Sequence, residues 1–245
     1  MSSPTPSPAG SRFFTTRWTM VLQAGDQDSP HREQALSELL QAYWHPLYCY
    51  IRRQGYQQAA AEDLLQAFVA NVLERNSFSK VHAGRGRFRN FLLVCLRNFL
   101  ASEAERAHTL KRGGATRALS LDFEGADARY QLEPSHDLTA ERLFERDWAL
   151  GIIEKTFATL SGQWTQAGKV KQFEVLSKYL VAAQSAPTYA DAAAQLGVSE
   201  GAVKTAVHRL RAQFRELLCE QVMSTLGNDD LLEDEIRLLF SALSV

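Results

Sequence analysis

The chain has 245 residues, of which 45% are hydrophobic and 22% charged, and its formal net charge is −1. That length holds one large domain or two small ones, and no apolar run reaches the length needed to cross a bilayer. A near-neutral total says nothing about nucleic acid, but the distribution of charge does. From Arg85 to Arg117 eight basic residues (85, 87, 89, 97, 106, 111, 112, 117) face only Glu103 and Glu105, whereas from Glu216 onward seven acids (216, 220, 229, 230, 233, 234, 235) face only Arg237. Such segregation favours polyanion binding by the basic parts. Cys49, Cys95 and Cys219 lie far apart in apolar helical contexts and read as reduced core residues without metal spacing. The start, MSSPTPSPAGS, lacks the apolar core of a signal peptide, so the expected compartment is the cytoplasm.

In chain order, residues 1–12 are rich in Pro and Ser and read as a disordered tail. Phe13–Leu22 predicts a short helix with Trp18, Val21 and Leu22 inward. From Glu33 to Arg53 the residues Leu36, Leu39, Leu40, Tyr43, Leu47 and Ile51 recur at helical spacing, with Pro46 expected to kink or divide the helix and Gly55 to end it. Ala59–Arg75 predicts a helix burying Leu64, Leu65, Phe68, Val69, Val72 and Leu73, with Glu62, Asp63, Gln66 and Asn71 on its solvated side. The glycine-bearing basic loop 76–87 lacks the spacing of a phosphate-binding loop and follows a helix rather than a strand. Phe88–His108 predicts an amphipathic helix with Phe88, Phe91, Leu92, Cys95 and Phe99 inward and Arg89, Asn90, Arg97 and Asn98 off that stripe.

Residues 111–140 carry turn formers without a sustained period and predict a linker between two helical domains. Beyond it, Leu138–Leu160 and Lys171–Ala183 read as helices. Tyr189–Leu196 and a helix opening after Ser199 then meet at Gly197, with Ala193 and Val203 at the spacing of a helix-turn-helix. Val203, Val207, Leu210, Phe214, Leu217 and Leu218 form the buried stripe of the second helix. Glu200, Lys204, Thr205, His208, Arg209, Arg211 and Arg215 lie on its other sides, where a second helix reads a major groove. Asp229–Leu243 predicts an acidic amphipathic helix using Leu232, Ile236, Leu239, Phe240 and Leu243. No segment alternates as a strand does, so the expected fold is all-α: two small helical domains joined by a linker, the C-terminal one containing a helix-turn-helix.

The order of AEDLLQAFVANVLER, then GRFRNFLLVCLRNFLASEAERAHTLKR, then YADAAAQLGVSEGAVKTAVHRLRAQFRELL resembles the sigma-70 family of bacterial RNA polymerase initiation factors, in its small two-domain extracytoplasmic-function group. The resemblance spans about residues 15–220. It implies a domain over 13–110 that binds core polymerase and opens the −10 element, a linker over 111–140, a −35-reading domain over 141–225, and an acidic extension over 226–245. Glu62, Asp63, Leu65, Gln66 and Phe68 would dock on core polymerase. Arg85, Arg87, Phe88, Arg89, Phe91, Arg97 and Asn98 would meet the −10 strand, with Asn98 near a flipped base. Ser199, Glu200, Lys204, Thr205, His208, Arg209 and Arg211 would meet the −35 duplex. The implied partners are core RNA polymerase and promoter DNA, with an anti-sigma factor or a Ser/Thr kinase as regulators. No membrane, catalytic residue, metal or cofactor is implied.

Three features depart from the family pattern. Ala67 stands where an acid commonly follows the position of Gln66, which bears on polymerase docking. Extra residues, roughly 162–187, precede the helix-turn-helix, and 226–245 extend past the usual end, either folding back over helix 200–215 or enlarging the small domain. The main alternative is a helix-turn-helix regulator that does not dock on polymerase. A sigma-like adaptor without promoter binding is disfavoured by Lys204, Arg209 and Arg211, and a DNA-processing enzyme by the absence of a paired partner for Glu103 or Glu105.

Overall fold

A computed structural model of the chain describes residues 17–74, 87–109, 130, 138–181, 186–226 and 231–244. Every regular element among them is a helix: α1 (Arg17–Gly25), α2 (Arg32–Arg53), α3 (Gln58–Glu74), α4 (Phe88–Thr109), α5 (Ala140–Gln166), α6 (Val170–Leu176), α7 (Lys178–Val181), α8 (Tyr189–Leu196), α9 (Glu200–Met223) and α10 (Leu232–Leu243). The all-α expectation is met. The start of the predicted helix at 13–16, most of the basic loop and most of the predicted linker lie outside the described residues.

The chain forms two compact units, but their borders differ from those expected. The first unit takes residues 1–149 together with 223–245, and the second is the contiguous stretch 150–222. The border falls within α5 rather than in a linker, because Leu143, Phe144 and Trp148 of that helix are buried with the first unit's core. Helix α10, in the acidic extension, belongs to the first unit.

In the first unit, the three- and four-residue spacing of α2 buries Leu36, Leu39, Leu40, Tyr43, Leu47 and Ile51 as predicted. The helix runs unbroken through Pro46 to Arg53, and Gly55 follows with φ 95°, a conformation that costs glycine little. Helix α3 adds Leu65, Phe68, Val69 and Val72, although Leu64 is only half-buried. Helix α4 adds Phe88, Leu92, Leu96, Phe99 and Leu100. Tyr43 meets the edge of Phe88 at 5.5 Å between ring centroids, and Phe68 meets Phe99 at 5.6 Å. From the predicted linker, Tyr130 lies under the Arg52 guanidinium at 5.0 Å, and the Leu138 carbonyl accepts from Arg53 Nε at 2.7 Å. Two expectations fail at the ends of this unit: Leu22 and Phe240 are exposed rather than inward.

The second unit packs around Leu160, Phe173, Leu176, Tyr179, Ala192, Ala193, Val203, Val207, Leu210 and Leu217. The predicted helix over 171–183 is two pieces, α6 and α7, divided at Ser177. Thr188 caps α8: its hydroxyl oxygen accepts from the Asp191 N–H at 3.1 Å and its O–H donates to the Asp191 carboxylate at 2.6 Å. At the other end Gly197 adopts φ 67°, ψ 33°, and both its N–H and that of Val198 point to the Ala193 carbonyl. Ser199 then caps α9 through the Ala202 N–H at 3.2 Å.

An alanine at Gly197 meets no neighbour, so its cost is conformational alone. Gly197→Ala is expected to lower the unfolding free energy by roughly 1–2 kcal/mol, measured by chemical denaturation. Gly201→Ala, inside α9 with ordinary space around it, is expected to leave stability unchanged or slightly higher.

Candidate nucleic-acid interface

Two surfaces carry the residues singled out by sequence, one on each unit. On the second unit, α9 buries Val203, Val207 and Leu210, so its other sides must face outward. Ser199, Glu200, Lys204, Thr205, His208, Arg209 and Arg211 are all exposed, as expected. They are not equally available. Ser199 is engaged as the cap, and the Thr205 hydroxyl donates back to the Gly201 carbonyl at 3.0 Å. Arg211 donates to the Tyr179 carbonyl at 3.1 Å, which ties the end of α7 to α9. The Lys204 ammonium lies 5.5 Å from the centre of the Tyr189 ring, leaning toward the start of α8. His208 and Arg209 stand on the exposed side one turn beyond. Tyr189 itself stacks on Tyr179 at 5.2 Å with the rings nearly parallel, and partial burial beside Tyr189 and Asp191 raises the Tyr179 phenol above its ordinary pKa.

On the first unit, the side chains of α4 separate into three kinds. Phe88 is buried against Tyr43 and Phe91 is half-buried beside it, so Phe88 is core and not a platform for a base. Arg97 is exposed and bonded, donating to the Tyr50 hydroxyl at 3.2 Å and to the Glu141 carboxylate at 2.5 Å. Burial works against the Glu141 charge, but hydrogen bonds from its own backbone and from Arg97 hold its carboxyl below the usual range. Asn98 is exposed and lines a groove of about 190 Å³ together with Phe68, Asn71, Val72, Cys95, Phe99, Ser102 and Arg106. The groove therefore has an aromatic floor and amide, hydroxyl and guanidinium groups at its rim. Burial raises the Cys95 thiol, which keeps it neutral there.

Arg89 corrects the sequence reading most clearly. Its charge predicts a place off the apolar stripe, yet only 3% of it is exposed. Its guanidinium lies 4.0 Å from the centre of the Trp148 ring, and its Nε donates to Glu145 at 2.7 Å. Its second arm donates to Glu235 of α10, and Arg87 donates to the other oxygen of the same carboxylate. Glu235 is fully buried. Desolvation pulls the Arg89 pKa below its ordinary value while Glu145 raises it again; a guanidinium keeps its charge in either case. Two cations and two anions thus form one closed network. A readable signal existed, because Arg89 is in phase with the buried Leu93, Leu96 and Leu100, and a charge in an apolar stripe requires a buried partner.

The residues predicted to dock on polymerase also divide. Leu65 and Phe68 are core, Glu62 and Gln66 are half-buried, and Asp63 is exposed. Glu62 accepts from the Gln58 side chain at 3.0 Å. Arg85 lies outside the described residues.

One further cluster was not anticipated. Cys49 shares a side of α2 with His45 one turn earlier, and Asp147 of α5 completes a group whose donor atoms all lie within 4.8 Å. The Cys49 Sγ to His45 Nδ1 separation is 3.8 Å and that from His45 Nδ1 to Asp147 is 3.7 Å. Such a set can hold a cation, but it supplies three ligands where a structural zinc site uses four. The simpler assignment is a histidine–carboxylate contact in the core.

The chain matches no family model, no curated protein and no solved structure. Among the described residues no helix is long and apolar enough to cross a membrane.

Arg89→Ala leaves Glu235 buried without one of its two cations. This substitution is expected to cost about 3–5 kcal/mol by chemical denaturation, whereas Arg97→Ala, at an exposed pair, is expected to cause no comparable loss.

Proposed function

We propose that this protein is a sigma-type initiation factor, which binds core RNA polymerase and directs it to promoters. The observation that carries the reading is the exposed row Lys204, His208 and Arg209, opposite a buried apolar stripe and immediately after a glycine turn. A helix so presented can place these side chains at base edges in a major groove, while arginines on its flanks take phosphates and displace counterions. In this reading it contacts the −35 element. The groove beside Asn98 supports the second half of the reading. A strand opened at the −10 element exposes a base whose face needs apolar or aromatic contact and whose edge needs hydrogen-bonding groups, and Phe99, Asn71, Asn98 and Ser102 offer both. Arg106, also at that groove, is suited to a neighbouring phosphate.

No chemistry of its own is required of the chain. Polymerase makes the phosphodiester bonds, and this protein supplies the address and the opening surface in the cytoplasm. Docking would use the outer side of α3, where Asp63 is exposed and Glu62 and Gln66 are partly so. Ala67 makes that side less acidic than the sigma-70 pattern, which suits an additional activating partner such as a kinase. The second reading, a helix-turn-helix regulator that acts without polymerase, is favoured by the same α9 row but gives no role to the Asn98 groove.

Run-off transcription with bacterial core polymerase on DNA upstream of its own gene is expected to yield factor-dependent transcripts from fixed starts. Asn98→Ala should reduce open-complex formation while leaving duplex binding intact. Arg209→Ala should weaken upstream duplex binding and reduce the salt slope by about one. Failure to bind core polymerase, with unmodified and kinase-treated protein alike, would sink the proposal.

A further inference from the structure

Of the two roles open to the acidic extension, covering helix 200–215 or enlarging a small domain, neither anticipates the partner its helix takes. It reaches the first unit, and its Glu235 takes hold of Arg87 and Arg89, at the start of the helix assigned to strand opening. We infer that α10 is an intramolecular clasp: the Glu235 carboxylate occupies the guanidiniums that a DNA-strand phosphate takes when the clasp opens. This inference rests on reading α4 as the strand-facing helix.

Three observations carry it. First, the chemistry of the occupant matches that of the ligand. A carboxylate held by two guanidinium groups through its two oxygens presents the geometry that arginines also offer to a phosphate. Second, the charges balance only while the clasp is shut. Arg87 and Arg89 are offset by Glu145 and Glu235; withdrawing Glu235 leaves a net positive site in a poorly solvated setting, which calls for another anion. Third, the network has an accessible edge. The Arg87 side chain is 26% exposed, against 3% for Arg89 and none for Glu235, so an incoming phosphate can take Arg87 first and loosen the carboxylate before Arg89 is reached. Glu233 and Asp234, exposed in the same first turn of α10, further repel a nucleic-acid backbone while the helix is docked. Arg237 pairs with Asp234 on the outer side of α10 and does not enter the network.

The expected behaviour is that single-stranded DNA and the docked helix exclude each other. A labelled single-stranded oligonucleotide of about 16 nucleotides serves as the probe, with affinity followed by anisotropy over a range of salt. Glu235→Gln keeps the shape of the side chain and removes its charge. It is expected to raise affinity roughly tenfold, the worth of one charge-assisted hydrogen bond, and to steepen the logarithmic salt dependence by about 0.7. Equal or weaker binding by the folded variant overturns the clasp and leaves Glu235 as a structural tie. Because Glu235→Gln can unfold the unit, the wild-type protein is tested as well, by hydrogen exchange across residues 232–243 with and without the oligonucleotide. Faster exchange on binding supports the clasp; unchanged or slower exchange, or no binding by any folded form, overturns it. Core-polymerase binding by the same proteins separates the two claims. Loss of core binding defeats the initiation-factor reading, whereas core binding with a helix that stays protected in the presence of DNA defeats the clasp alone.

Discussion

A desolvated guanidinium governs the organisation of the first unit. Arg89 lies over the Trp148 ring with Glu145 on one side and Glu235 on the other, so residues distant in sequence must come together to satisfy one cation. An arginine in this position is not there for net stability, since a packed apolar residue often serves as well or better. What the charge supplies is exclusivity. Leucine in place of Arg89 would accept many apolar neighbours, but a buried cation accepts only a correctly placed anion. The acidic helix is thereby held in the first unit. Close, dehydrated pairing decides over the diffuse field of exposed residues, which salt screens.

The second unit is held in a different manner. Its turn is specified locally, by a threonine cap, a glycine in the left-handed region and a serine cap within a dozen residues, and its core is apolar. Such a unit can tolerate a basic exterior because its core is built from apolar side chains. Arg211 is the exception, spending its guanidinium on the Tyr179 carbonyl. The side chains of α9 divide accordingly: Ser199, Thr205 and Arg211 are tied to the backbone, while Lys204, His208 and Arg209 are exposed on the helix.

Much of this was legible in the sequence where the determinants are local. Helical spacing identified the buried residues of α2, and Gly197 with a helix opening after Ser199 identified the turn between α8 and α9. Legibility failed where partners are far apart along the chain. The charge of Arg89 points outward, although its register with Leu93 and Leu96 marks it as internal. Phe240 carried a large apolar side chain and was assigned to the inside, although Glu235 and Leu239 were to be the buried pair on α10. For Arg89 the partners that hold it inside lie in other parts of the chain, whereas Phe240 keeps the phase of Ile236 and is exposed nonetheless. Composition changes at the linker, whereas the packing of Phe144 and Trp148 carries the first compact unit into α5.

The return of the chain to its first unit also has a consequence for synthesis. Arg89 and its partner Glu235 are separated by 146 positions, so a ribosome must add all of them before the network can close. The second unit is contiguous from 150 to 222, so all of its residues are made before α10 is. The usual order, in which the N-terminal unit is completed first, is thus inverted. A nascent chain stalled within the helix-turn-helix would carry a first unit with its arginines still awaiting Glu235.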